Sequence, residues 1–261
     1  GIMGGYFSTH QGFDKDISLA ITEQYLPVGL DSLAPKKPFS VTLSVTDKID
    51  TLVGFFGINE KPTSSKDPFA LRRTAIGLLK IIIENKLKIQ IKDLINYSIL
   101  TYEQQNTKFI NNLILKDILI FLNERFKNLL KEKKIRNDII EATYSSHTSS
   151  DFLELYKKSF IFNKDIKKST CKNIIEVYKR TSNIIDQELK NKKEEILGHP
   201  ESFLFKKDEE KNLYSKINEI RKYFSSVKKK EVYADTLNKL SEAKFVTDNF
   251  FDNVIVNDEN L

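Results

Sequence analysis

The sequence is poorest in the residues that build redox, metal and covalent chemistry. Cys171 is its one cysteine, which excludes an internal disulfide framework and fits a reducing cytosol, with the thiol read as a small core or surface residue. Its 3 histidines are scattered: His147 lies in the polar run SSHTSS, His199 precedes Pro200, and both read as loop residues. No zinc, Ser-His-Asp or Cys-His arrangement can be assembled from them. Glycine-rich phosphate loops are also lacking. No apolar run approaches the roughly 18 residues of a membrane span, and no leader pattern is present, so a cytoplasmic location is expected.

What is there is ordinary for a globular chain. The 261 residues suffice for one large or two modest domains, with 40% apolar and 30% charged side chains. The net charge of +6 accompanies abundant Lys, Ile and Asn, as an AT-rich genome produces without any selection for binding. The basic surplus is concentrated between Lys108 and Lys193, where it is compatible either with a phosphate-binding face or with solvated helix surfaces.

One stretch looks chosen residue by residue: Thr46 to Asn85, TDKIDTLVGFFGINEKPTSSKDPFALRRTAIGLLKIIIEN. Val45, Ile49, Leu52, Val53 and Phe56 recur at intervals of three and four, predicting a long helix from about Phe39 to Phe56 that the Gly54/Gly57 pair ends. Asp47 and Asp50 then share one helical face, with Lys48 off it. A second helix is predicted to start at Pro68, behind the capping carboxylate of Asp67. Its apolar residues cover well over half the circumference, so it is expected to be buried. Gly77 in its middle predicts a close approach by another backbone.

The words DKIDTLVGFFGINEKPTSSKDPFALRRTAIGLLKIIIE resemble the signature of the beta subunit of the bacterial two-subunit glycyl-tRNA synthetase, which often reads PTGSKDPFALRR. Neither a cap nor amphipathicity demands SKDPFALRR in that order. Ser64-Ser65 stands where the family usually has Gly-Ser, and Thr46 where it has Ala. The opening Gly1-Ile2-Met3-Gly4 resembles a GIMG found well inside that family, so an excised piece of a longer subunit is expected. DISLAITEQY, placing Ile17, Ala20, Ile21 and Gln24 on one side of a short helix from Asp16 to Tyr25, resembles its VAxAIxEQY.

SVTDKIDTL also resembles the last metal-ligand segment of HD-domain phosphohydrolases, with Asp47 at the ligand position. His10 has no Asp beside it, so Asp47 is at most a remnant of such a site. The favoured reading makes Asp47 and Asp50 helix-surface carboxylates paired with Lys or Arg, in an HD-like fold without HD chemistry.

Beyond Asn85, KLKIQIKDLINYSIL reads as a short strand or extended connector leading into a helix from Asp93 to about Leu100. A domain change is placed near residues 100 to 107. Helical spacing then predicts one helix from Asn106 to about Lys133, a short helix capped by Asn137-Asp138, and helices over about 151–162, 170–192 and 207–225. Lys228 to Lys230 read as a basic turn, followed by a last helix from Glu231 to about Lys244 carrying Val232. EVYKRTSNIID resembles the KRxxNI helix of the family's anticodon-binding domain, and VTDNFFDNVIVNDENL its VDxFFDxVMVMxED, with Phe250 and Phe251 as packing residues.

The resemblance implies an all-α chain: an HD-like helical domain over 1–103 and a helical-bundle, DALR-like anticodon-binding domain over 104–261 that lacks its last helix. It implies a tetramer of two alpha and two beta subunits, in which alpha carries the ATP, magnesium and glycine chemistry and beta contacts tRNA(Gly). This piece is expected to bind no cofactor or metal and to catalyse nothing alone. Candidate tRNA contacts are Lys66, Arg72 and Arg73 in the first domain and Lys179, Arg180 and Asn183 in the second. Each Arg can equally brace the fold, Arg72 or Arg73 by pairing with Asp47 or Asp50, and Arg180 with Asn183 by joining neighbouring helices. The alternatives are an HD-type metal phosphohydrolase and a subunit-assembly scaffold with no RNA affinity.

Overall fold

A computed structural model describes residues 1–29, 31–63, 65–145, 150–192, 200–226 and 233–256. Ser64, His147, His199, Lys228 to Lys230 and Val232, on which expectations were placed, lie outside the described residues. The described chain is all-α, with no strand among its residues. Its helices are α1 (Ile2–His10), α2 (Lys15–Glu23), α3 (Pro38–Gly57), α4 (Leu71–Glu84), α5 (Ile91–Gln104), α6 (Ile114–Glu132), α7 (Asn137–Ser145) and α8 (Phe152–Asp165). They continue with α9 (Ser169–Lys192), a single 3-10 turn (Ser202–Leu204), α10 (Asp208–Ser226), α11 (Tyr233–Ser241) and α12 (Ala243–Asn253). The chain divides into two compact units, Gly1–Phe160 and Ile161–Leu261. The resemblance implies a division near 103, whereas compactness divides the chain after Phe160 because α6 packs on α3, α4 and α5.

In the first unit α3 is the central element, packed against α2, α4, α5 and α6. Leu52, Val53 and Phe56 on it, Leu71, Ala75, Leu78, Leu79 and Ile82 on α4, and Ile118, Leu122, Phe126 and Leu130 on α6 make one apolar core. Phe56 meets Phe121 with ring centroids 5.3 Å apart, and Phe126 meets Phe152 at 5.1 Å. α1, which the sequence pattern did not announce, lies on α2 because Gly5 leaves no side chain between the helices; a Cβ there would meet Thr22. On the opposite side α1 presents Ile2, Met3, Tyr6 and Phe7 as exposed apolar residues.

Two helix starts differ from expectation, each for a local reason. Pro68 and Phe69 form a turn in which the Ala70 N–H donates to the Asp67 carbonyl, and Ala70 takes φ +55°, so α4 begins only at Leu71. The capping role of Asp67 stands, since its carboxylate accepts from the Leu71 N–H at 2.8 Å and the Arg72 N–H at 3.0 Å. Likewise Asn106, at φ +59°, closes α5 instead of opening α6. The following residues run as a loop that docks on the end of α3: Ile110 and Asn111 N–H both donate to the Gly57 carbonyl, and the Phe109 ring covers Gly57.

The second unit is built differently. α9, α10, α11 and α12 pack together, yet few apolar side chains are fully enclosed, Ile220 and Leu237 among them. α11 and α12 divide what was expected to be one terminal helix and a tail, and the VTDNFFDN segment is helical. Charge pairs tie these helices. Lys216 and Lys239 each bridge Glu219 and Glu242, and the two lysines, Lys239 first, hold the Glu219 carboxyl down to about 2. Lys244 joins Glu176 at 2.7 Å to Asp248 at 3.0 Å.

A buried cation sits at the centre of the first unit. Lys48 is 3% exposed, and its Nζ donates to the Leu26 carbonyl at 3.0 Å and to Ser44 Oγ at 2.9 Å, with the Gln24 carbonyl at 3.4 Å. Ser44 Oγ in turn donates to the same Leu26 carbonyl at 2.6 Å. Burial pulls the Lys48 ammonium down to about 8, with Asp47 acting the other way. Above this group passes Gly77 of α4, where a Cβ would stand 2.9 Å from both the Pro27 carbonyl oxygen and Lys48 Cε. The close backbone approach expected at Gly77 is therefore present, and it explains a glycine in the middle of a helix.

Gly77→Ala is expected to lower stability by about 1–3 kcal/mol despite the helix propensity it gains, because a backbone carbonyl cannot yield. Gly54→Ala meets only the movable Tyr102 hydroxyl and is expected to be close to neutral in the same denaturant titrations. Lys48 generates a pH dependence of definite sign. Its folded value lies below the unfolded one, so the unfolded chain binds more protons between about pH 8 and 10.5 and stability rises with pH across that window. From pH 7 to pH 9.5 the wild type is expected to gain about 2 kcal/mol over Lys48→Met in chemical denaturation.

Candidate nucleic-acid interface

The candidate residues of the first unit lie where the loop after α3 turns into α4. That loop is closed on itself: the Thr63 N–H donates to the Lys66 carbonyl, and the Lys66 N–H to Thr63 Oγ1 at 3.2 Å. Its base is anchored by Lys61, which pairs with Asp117 of α6 at 2.6 Å, and by Phe69 stacked on Phe55 at 4.1 Å between centroids. Lys66 extends from this platform exposed, without an ion-pair partner among the described residues.

Arg72 and Arg73 are separated by the helix they share. Arg72, half-buried, turns back and donates to the Thr63 carbonyl, so it braces the loop. Arg73, exposed, has no hydrogen-bond or ion-pair partner among the described residues. Its guanidinium lines a hollow of about 220 Å³ with Tyr25, Val28, Asp47, Lys48 and Thr74. The internal ion pairs expected between these arginines and Asp47 or Asp50 are not formed. Asp50 instead acts on Tyr102, whose hydroxyl titration is pushed up by burial and then by that carboxylate.

Asp47 is half-buried at the wall of the hollow. Burial raises its carboxyl above the usual range, Lys48 opposes that, and Asp50 adds to it. Among the described residues no three His, Cys, Asp or Glu side chains converge on a point.

In the second unit the three candidates on α9 also part company. Arg180 is engaged inside the bundle: its guanidinium pairs with Asp248 at 3.4 Å and Asp252 at 3.0 Å, and lies over the Phe251 ring at 4.8 Å. It therefore ties α9 to α12. Lys179 and Asn183, one turn apart, both face outward exposed.

Two features escaped the sequence reading. Lys48 was placed off the important face, although the series Val41, Ser44, Lys48, Leu52 runs along the buried stripe of α3 and could have exposed it. Arg221 and Lys222 on α10 are exposed and without an ion-pair partner among the described residues, beside Asn218 and Ser225. No pattern in the sequence distinguishes them from the paired lysines of the same helix.

Comparison with known proteins is consistent along the whole chain. Residues 1–145 match the family model described as glycyl-tRNA synthetase beta subunit. The glycine–tRNA ligase beta subunit of Rickettsia canadensis is 35% identical over 263 residues, covering 99% of this chain and 37% of the relative. That of Clostridioides difficile is 32% identical over 258 residues, covering 99% of this chain and 36% of its own length. The Rhodospirillum centenum subunit is 35% identical over 190 residues, covering 73% of this chain and 26% of the relative. The chain thus spans roughly a quarter to somewhat over a third of these relatives. With the family model covering more than half of it, the chain belongs to the glycyl-tRNA synthetase beta-subunit family.

Proposed function

We propose that this chain is a tRNA-binding portion of a glycyl-tRNA synthetase beta subunit, and that it holds tRNA(Gly) while an alpha subunit joins glycine to it with ATP and magnesium. On this reading the partners are tRNA(Gly) and the alpha subunit, in an assembly of two alpha and two beta chains in the cytoplasm. The chain itself holds no catalytic group. Residues 1–103 serve as an HD-like part without HD chemistry, and 104–261 as the anticodon-binding part.

The observation that supports the reading most directly is the sorting of cations on the loop and helix of the family signature. Arg72 is engaged with its own loop, while Lys66 and Arg73 stand exposed and without carboxylate partners among the described residues. A free guanidinium on a capped helix start is suited to a phosphate, because it has no internal contact to lose on binding. On α9 the same reasoning transfers the contact role to Lys179 and Asn183 and gives Arg180 the bracing role. A second reading, a scaffold for subunit assembly, is favoured by the apolar face of α1, where Ile2, Met3, Tyr6 and Phe7 are all more than 60% exposed.

Titration of the chain with tRNA(Gly) and a non-cognate tRNA at two salt concentrations tests the proposal. Tighter binding to tRNA(Gly) at both is expected; equal and steeply salt-sensitive binding reduces the basic surplus to a counter-charge, and no binding leaves the scaffold. Arg73→Ala is expected to weaken tRNA binding several-fold and lower the salt slope by about 1 with the melting temperature unchanged. Arg72→Ala is expected to lower stability by about 1–3 kcal/mol through the loop it braces. A stable Arg73→Ala protein with wild-type affinity for tRNA removes Arg73 from the contact surface.

A further inference from the structure

We infer that the hollow between α3, α4 and the segment after α2 is a subsite for one unpaired nucleotide of the bound RNA, taking a guanine base. The inference rests on the RNA-binding reading and goes beyond it by assigning a pocket and a base. The cavity, about 220 Å³, is small for a drug-sized ligand and suits a single planar group. Three kinds of residue line it: Tyr25, 56% exposed; Asp47, half-buried; and Arg73, exposed and without a hydrogen-bond or ion-pair partner among the described residues.

Each simpler ligand fails on one wall. A free anion meets Asp47, which no salt bridge neutralises among the described residues. A metal ion or an organic cation meets Arg73 and the enclosed Lys48 ammonium, whose protons are committed to Leu26 and Ser44. A nucleotide satisfies all three walls at once: its phosphate on Arg73, its ring face on Tyr25, and an N–H edge on Asp47. Guanine offers adjacent N1–H and N2–H donors, which match the two oxygens of one carboxylate, whereas adenine, cytosine and uracil do not present that pair. Because those donors belong to the Watson–Crick edge, the base must be unpaired.

The test uses the whole chain and uridine hexamers carrying one central guanosine, adenosine or inosine, with tRNA(Gly) titrated in parallel. The guanosine hexamer is expected to bind on the order of 10-fold more tightly than the adenosine one, with inosine between them because it lacks the N2 donors. Asp47→Asn, close in shape and checked by its melting temperature, is expected to abolish that preference while leaving the salt dependence intact. Tyr25→Leu is expected to weaken all hexamers alike. Equal binding of the three hexamers, or a guanosine preference that survives Asp47→Asn, overturns the subsite while tRNA binding stands. If neither hexamers nor tRNA bind, the RNA-binding reading falls and the subsite with it.

Discussion

The first unit depends on one buried ammonium. Lys48 and Ser44, one turn apart on α3, converge on the Leu26 carbonyl, so the segment leaving α2 is fastened to the central helix by two donors on one acceptor. Enclosing a charge is costly, and the cost appears as a Lys48 value near 8. The arrangement persists because every neighbour is shaped around it. Gly77 lets α4 pass directly over the lysine stem and the Pro27 carbonyl, and the apolar residues of α3 and α4 seal the other sides. The same enclosure puts positive charge behind Asp47 and forms the floor of the hollow that Arg73 overlooks.

Partnering, rather than the number of cations, separates the roles of the basic side chains. In the second unit Lys216, Lys239, Lys244 and Arg180 are drawn to carboxylates on neighbouring helices, where they take part of the work that a thin apolar core leaves undone. Such exposed networks are screened by salt and add specificity of packing more than raw stability. Lys66 and Arg73 in the first unit and Lys179, Arg221 and Lys222 in the second are exposed and without ion-pair partners among the described residues. A basic composition shared with an AT-rich coding bias therefore conceals two populations, one engaged inside the fold and one exposed.

Much of the architecture was legible before any coordinates. Period-3.6 apolar spacing located α3, α5 and α8 through α10 to within a few residues, since an amphipathic helix in a globular core must carry that stripe. The failures were at boundaries set by single backbone conformations: Ala70 and Asn106 adopt positive φ where side-chain spacing had helices already begun, so α4 and α6 start later. α1 was missed because its apolar face is outward and its contact face is made by Gly5, so burial left no hydrophobic stripe to read.

The sequence by itself determined the family, through words such as SKDPFALRR that no packing rule requires, and local spacing and caps determined most of its helices. It narrowed the candidate contacts to Lys66, Arg72, Arg73, Lys179, Arg180 and Asn183. Only the tertiary structure shows which of these side chains are engaged inside the fold. Arg72 from Arg73, and Arg180 from Lys179, are adjacent and chemically alike in sequence; what separates them is which one finds an acceptor on a distant segment, Thr63 for Arg72 and Asp248 with Asp252 for Arg180. Lys48 makes a related point: helical spacing places it on the buried stripe of α3, but its acceptor, the Leu26 carbonyl more than twenty residues away, is supplied only by the fold.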